Sequence, residues 1–195
     1  HATLLHMSTD YVFGGDKARQ SPYAESDTPA PINVYGVSKL AGEHLIRYLL
    51  DRYYIVRVCG LYGVAGSSGK GGNFVELMLR LAKDGKPIRV VDDQRLTPTY
   101  TMDVARQMAA LIETGLYGLY HATSQGSCTW YEFAAEIFRQ SGLKPDLSQA
   151  RTGDGGEKAT RPAYSVLENE RLQSIGLDQM RPWQVALAAY LKERQ

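Results

Sequence analysis

The sequence predicts an α/β fold, part of a doubly wound parallel sheet carrying a smaller α/β unit. Three observations predict it. Thr3-Leu4-Leu5-His6-Met7 is a short apolar run that ends in small polar residues, Ser8-Thr9-Asp10, as a buried strand does at its C-terminal end. A second such run, Tyr54–Cys59, follows a helix-patterned stretch, and buried strand–helix–buried strand implies parallel pairing through a right-handed crossover. Beyond it, short strands and helices alternate less regularly, as in a smaller unit that completes a cleft at the C-terminal strand ends.

The elements follow in order. Residues 14–33 are rich in Gly, Pro, Asp and Ser and read as a long loop. Tyr35 to about Arg52 is helical, and Leu40, Ala41, His44, Leu45, Tyr48 and Leu49 recur at three- and four-residue spacing on one face. The Gly-rich stretch Gly60–Gly72 reads as a flexible connection. Phe74–Asp84 is an amphipathic helix that Gly85 stops with a left-handed cap. Ile88–Val91 is a short strand, Thr101–Thr114 a helix with Thr101 as a candidate N-cap, and Leu119–Ala122 another strand. Thr129 and Glu132 have capping-box spacing at the start of a helix that Gly142 ends. A loop with Gly153, Gly155 and Gly156 leads to helices near Leu167–Ile175 and Pro182–Glu193, with Pro182 suited to the first helical position.

Composition excludes several function classes. The chain has 195 residues, 44% of them hydrophobic, enough for one domain with a real core. A net charge of +1 gives no electrostatic reason to expect nucleic acid or a membrane surface as partner. No apolar run approaches the ~20 residues that span a bilayer. Cys59 and Cys128 read as two buried thiols of a reducing cytoplasm, and the four histidines lack ligand spacing, so no metal site is expected. His1-Ala2-Thr3 leads at once into a strand, and an N-terminal portion is expected upstream.

Tyr35-Gly36-Val37-Ser38-Lys39 places a phenol and an ammonium on the same helix face, four residues apart. A free phenol titrates near pH ~10 and is a poor acid at neutrality. A nearby ammonium favours the phenolate, and such a tyrosine can hand a proton to a carbonyl oxygen as hydride reaches the carbon. The spacing alone also fits a solvated surface pair. Ser8-Thr9-Asp10 adds specificity, because a hydroxyl at a strand end can bond the same oxygen, and two converging donors stabilise a developing alkoxide.

These residues resemble those of extended short-chain dehydrogenases/reductases of the dTDP-4-dehydrorhamnose reductase type. The resemblance runs through Ser8-Thr9-Asp10-Tyr11-Val12-Phe13, Pro22-Tyr23-x-Glu25, Pro29-x-Pro31-x-Asn33-x-Tyr35-Gly36-x-Ser38-Lys39 and Gly42-Glu43. It continues at Arg57, Leu61-Tyr62-Gly63, Asn73-Phe74-Val75, Asp93-Gln94, Thr97-Pro98-Thr99, Asp103 and Arg161-Pro162-x-x-Ser165-x-Leu167. It implies that residues 1–63 are the C-terminal part of a dinucleotide-binding domain. Residues 64–195 would then be mainly a substrate-binding domain, with a strand allowed to return to the main sheet.

The implied roles fall residue by residue. Tyr35 donates the proton, and Lys39 favours its phenolate and holds the nicotinamide ribose. Thr9 bonds the substrate carbonyl, Ser8 helps bind the cofactor, and Asp10 and Tyr11 help place the sugar. Arg161 faces the nucleotide or its phosphates, where a guanidinium fork matches two oxygens, or is a surface arginine before a proline. Asn73 lines the sugar-nucleotide cleft or caps the helix that starts at Phe74. The implied cofactor is NADPH or NADH, the partner is a nucleotide-sugar substrate, and a homodimer is allowed.

Two departures qualify the resemblance. Many members carry, where Gly60 stands, a tryptophan against which the sugar packs, so a wider or differently shaped pocket is expected. The Gly-rich turn that receives the cofactor pyrophosphate is absent before Ser8, and Gly66–Gly72 does not match the phosphate-binding pattern. A dehydratase would place an acidic pair after the threonine, and Tyr11 stands where the second carboxylate would be, which argues against dehydration. A related epimerase or reductase, and a non-catalytic cofactor-binding regulatory subunit like that of methionine adenosyltransferase, stand as alternatives.

Overall fold

The computed structural model describes residues 2–65, 72–154, 156 and 159–194. Three parallel strands form the main sheet in the order β1 (Leu4–Thr9), β2 (Tyr53–Val58), β7 (Gly118–His121). Helix α1 (Val34–Leu49) crosses between β1 and β2. Residues alternate across the sheet. Tyr54, Val56 and Val58 point to one face and pack with Val104, Met108 and Leu111 of α3 (Thr101–Ile112). Arg57 points to the other face, towards α1.

A second core lies among α2 (Phe74–Lys83), α4 (Trp130–Gln140) and α6 (Trp183–Glu193), with Phe133, Ile137, Leu187 and Tyr190 at its centre. Beside it, β4 (Ile88–Val91) pairs parallel with β9 (Leu147–Ala150). Two-residue strands join the units: β3 (Leu61–Tyr62) with β6 (Thr99–Tyr100), and β5 (Arg95–Leu96) with β8 (Cys128–Thr129). The short helix α5 (Glu170–Ser174) packs on β7. β7, from the later part of the chain, pairs parallel with β2.

The structure differs from the sequence reading at several points. Gly60–Gly72 is not wholly a connection, since it contains β3; residues 66–71 lie outside the described residues, as does Gly155 of the later loop. Thr101 is the first residue of α3 and not its cap, which is Tyr100 with no side-chain bond. Pro182 is the N-cap of α6, one position earlier than read. The penultimate helix is shorter than expected, beginning only after Asn169. The Thr129–Glu132 capping box is formed in both directions.

The largest difference concerns α1. The apolar face read from its spacing turns outward, with Leu45 60%, Tyr48 86% and Leu49 68% exposed. Its buried residues are Gly36 and Glu43, which lie on the inner stripe. Apolar periodicity reports the face that holds the hydrophobic residues, and here the contact stripe instead holds a glycine and an acid.

Gly36 lets α1 start directly against the turn that ends β1. A Cβ built there would collide with the backbone carbonyl of Tyr11 and crowd Pro31 at 3.0 Å. Backbone cannot swing aside as a flexible side chain can. Gly36→Ala is therefore expected to destabilise the fold by about 1–3 kcal/mol, the usual cost of overpacking. Urea denaturation of parent and variant measures it, and equal midpoints would show that α1 is not held at this distance.

Candidate active site

The C-terminal end of β1 builds one wall of a cavity of about 940 Å³. Thr9 is the last strand residue and caps a 3-10 turn over Asp10–Val12, accepting from the Tyr11 amide at 3.2 Å. Its hydroxyl donates to Asp10 Oδ1 at 3.0 Å. Asp10 is buried beneath the cavity, and Cys59 Sγ donates to its other oxygen at 3.1 Å. Burial lifts the Asp10 carboxyl above its ordinary value, against the hydrogen bonds from Ser165, Cys59 and Thr9. Burial, and then the neighbouring Asp10 charge, push the Cys59 thiol well up, so it stays protonated.

Tyr11 and Tyr35 stand side by side on the cavity wall, ring centroids 6.0 Å apart and edge to face. Burial and the Asp10 charge raise the Tyr11 phenol to about 12, against the Arg161 charge and hydrogen bond. Tyr35 occupies the first turn of α1, half-exposed into the cavity. The helix starts there because Asn33 Oδ1 caps the Gly36 amide at 2.8 Å. Asn33 Nδ2 also donates to the Thr160 carbonyl at 3.0 Å, which ties the segment bearing Arg161 to the start of the helix. Arg161 lines the cavity beside Tyr11.

The structure thus brings Thr9, Asp10, Tyr11, Tyr35 and Arg161 to one cavity. Lys39 lies one turn further along α1, half-buried, beside His6; burial and the Lys39 charge lower the His6 imidazole below its ordinary value. Ser8 does not join the site. Alternation along the strand sends it to the opposite face from Thr9, where its hydroxyl donates to Glu43 and is buried. Ser8 is thus held by Glu43 and is not among the residues lining this cavity.

Asn73 proves to be the cap of α2. Its oxygen accepts from the Glu76 amide at 3.1 Å, and its amide donates to the Gly63 carbonyl at 2.9 Å and the Tyr190 hydroxyl at 3.0 Å. These bonds occupy its amide hydrogens, although the residue borders a second cavity of about 670 Å³. The two cavities share Gly60, Leu61, Gln94, Trp130 and Arg161 and so form a two-chambered cleft.

Sequence reasoning gave no site role to Trp130, Gln94 or Ser165. Gln94 and Ser165 sit inside matched motifs, and Trp130 immediately follows the capping threonine, so the signals were present without a role attached. Trp130 is braced by Phe74 at 4.6 Å between ring centroids.

Gly60 borders both chambers in a left-handed conformation, φ +54°. A Cβ there would lie 2.9 Å from Leu96 Cδ1 and 3.2 Å from both Pro98 Cα and the Thr97 oxygen. Glycine is required by the backbone as well as by space.

The open end of a parallel strand, a hydroxyl on it and a Tyr-x-x-x-Lys helix beside it define an α/β protein with its site at a strand end. The chain belongs to the RmlD substrate binding domain family, which matches residues 1–195. It is 44% identical over 193 residues to the spore coat polysaccharide biosynthesis protein SpsK of Bacillus subtilis, covering 99% of this chain and 65% of that protein. It is 43% identical to a dTDP-4-keto-6-deoxy-D-glucose reductase of Streptomyces niveus, covering 94% of this chain and 62% of the relative. Its fold superposes with TM-score 0.91 and 43% identity on the crystal structure of dTDP-4-dehydrorhamnose reductase from Bacillus anthracis in complex with NADP, over 98% of this chain and 66% of that one. The chain therefore spans a little under two thirds of the length of these relatives.

Gly60→Trp is expected to lower stability by about 1–3 kcal/mol through strain and overpacking. A thermal melt measures this. A variant that melts with the parent would show that the Leu96–Pro98 segment yields and that Gly60 is a free pocket position.

Proposed function

We propose that this chain supplies the substrate pocket and the proton donor of an NAD(P)H-dependent reductase acting on a 4-keto-6-deoxy nucleotide sugar, an extended short-chain reductase of the cytoplasm. The observation that carries the reading is the convergence of Tyr35 and Thr9 on one cavity with Arg161 beside them. Tyr35 holds the proton that the ketone oxygen takes up. Lys39, on the same helix face, holds positive charge beneath it. Arg161, at the junction of the two chambers, suits a diphosphate, and Phe74, Leu77 and Met78 of the second chamber, which Arg80 and Arg89 also border, suit a base.

The nicotinamide cofactor supplies the hydride when bound. The phenol, ammonium and hydroxyl of Tyr35, Lys39 and Thr9 fit a carbonyl and a ribose. The strand end here does not fit a pyrophosphate, since β1 runs into a 3-10 turn with the buried Asp10 carboxyl.

Thr9 presents its proton to Asp10, so it reaches a ligand oxygen by rotating about χ1, or when a protonated Asp10 reverses the bond. The non-catalytic regulatory reading draws on this engagement. Dehydration has less support, because Tyr11, raised to about 12, stays protonated and cannot act as a base.

Full-length protein with NADPH and dTDP-4-dehydrorhamnose tests the proposal. Turnover is expected; cofactor binding without turnover would favour the regulatory reading. In the active enzyme Tyr35→Phe is expected to lose about 10²–10⁴ in kcat, as for other positioned acids, with KM little changed. Near-parental turnover would remove Tyr35 from the reaction. Lys39→Met is expected to move the pH–rate profile to higher pH and to weaken cofactor binding. Superimposed profiles would leave Lys39 a surface charge.

A further inference from the structure

We propose that Glu43 and Arg57 are positioning residues for the proton donor, a buried ion pair that sets the rotation and height of α1 and thereby where Tyr35 and Lys39 stand. The inference rests on the reductase reading for its kinetic test and on geometry alone for its structural one.

Tyr35, Lys39 and Glu43 succeed one another at four-residue intervals, on one side of α1. Glu43 and Arg57 are each 1% exposed. Arg57 grips the carboxylate with two nitrogens, Nε on Oε1 at 2.9 Å and Nη2 on Oε2 at 2.7 Å. The Ser8 hydroxyl donates to the same Oε1. The third guanidinium nitrogen, Nη1, approaches His121 Nε2 at 3.4 Å. His121 Nδ1 lies 2.9 Å from the Glu168 carbonyl, which can only accept, so Nδ1 carries the proton and Nε2 is free to receive Arg57. Burial, and then the Arg57 charge, hold this imidazole down at about 3, hence neutral. Phe13 lies 5.1 Å beneath the guanidinium. One carboxylate on α1 is thereby connected to all three strands of the sheet: Ser8 on β1, Arg57 on β2 and, through it, His121 on β7.

Stability alone does not account for such a pair. Buried ion pairs are often no better than apolar residues of the same volume, because desolvation offsets their attraction. What the pair adds is direction. A planar fork on a carboxylate fixes both the angle and the distance between two elements, whereas an apolar contact tolerates sliding. The inner stripe of α1 has only one other buried residue, Gly36, which by lacking a side chain sets closeness and not rotation. The site lies at the end of α1 near Gly36, and the directional anchor lies two turns away. A rotation about the helix axis would carry Tyr35 across the cavity wall, and a misplacement of about 1 Å can cost about 10²-fold in rate.

The decisive variant is Glu43→Leu/Arg57→Met in the full-length protein, which replaces the pair by apolar volume. It is expected to melt at or above the parent's Tm, to keep KM for dTDP-4-dehydrorhamnose within about threefold, and to lose about 10–10²-fold in kcat. Parental kcat together with parental stability would overturn the proposal, since the pair would then be structural only. Should that variant not fold, Glu43→Asp keeps the charge and shortens the tether by one methylene; it is expected to lower kcat and not KM, and an unchanged kcat overturns the proposal equally. A third readout needs no turnover. With 3-fluorotyrosine at position 35, the 19F resonance is expected to shift in either variant, and a resonance superimposed on the parent's overturns positioning even if the parent proves inactive, which would defeat the reductase reading separately.

Discussion

Helix α1 begins in contact with the turn that closes β1, and the geometry of the site depends on that contact. The Tyr11 carbonyl occupies the space where a Cβ of Gly36 would be. Because the helix starts so close, Tyr35 lies beside Tyr11, and the second residue after the strand meets the second residue of the helix across an edge-to-face ring contact. The Asn33 cap then ties the same helix start to the chain before Arg161, more than a hundred residues away. Three separate parts of the sequence reach one cavity through the start of one helix.

The floor of that cavity is polar but not highly charged. Asp10 is surrounded by the Cys59 thiol and the Thr9 hydroxyl, and burial works against its ionisation. Cys59 shares this environment and remains a thiol. A carboxyl under these conditions acts mainly as an organiser of hydroxyl groups. Arg161, by contrast, lies exposed on the cleft wall.

Much of this was legible in the sequence, for physical reasons that also mark the limits. β1, β2 and β4 are predominantly apolar runs broken by single polar residues, His6, Arg57 and Arg89, before the polar end of β1, and α2 and α4 have strong periodicity with caps in sequence, Gly85 and the Thr129–Glu132 pair. Two-residue strands such as β3 and β5 span a single period of alternation, so no repeating pattern announces them. β9, Leu147–Ala150, is legible only through its partner β4, because it is half-exposed and its own composition carries no strand pattern. Tyr35, Thr9 and Arg161 stood out as chemistry at matched spacing, and the fold brings them to one cavity. Ser8 and Thr9 are adjacent letters of one motif, but the strand sends them to opposite faces, and Ser8 bonds Glu43. The Glu43–Arg57 pair was quoted as two matching letters, fourteen residues apart, and no local rule links an acid on a helix to a base on the next strand.

Gly60 carries a further consequence for how such a protein can change. Its backbone sits in a region that most side chains avoid, and Leu96, Thr97 and Pro98 crowd the only direction a side chain could take. No single codon change at this position gives a larger residue without strain. A lineage that holds this turn is therefore confined in its drift: change in the shape of the cleft falls to its other lining residues, among them the exposed Arg161. The history of the pocket is in this sense directional, since the glycine is easier to keep than to leave.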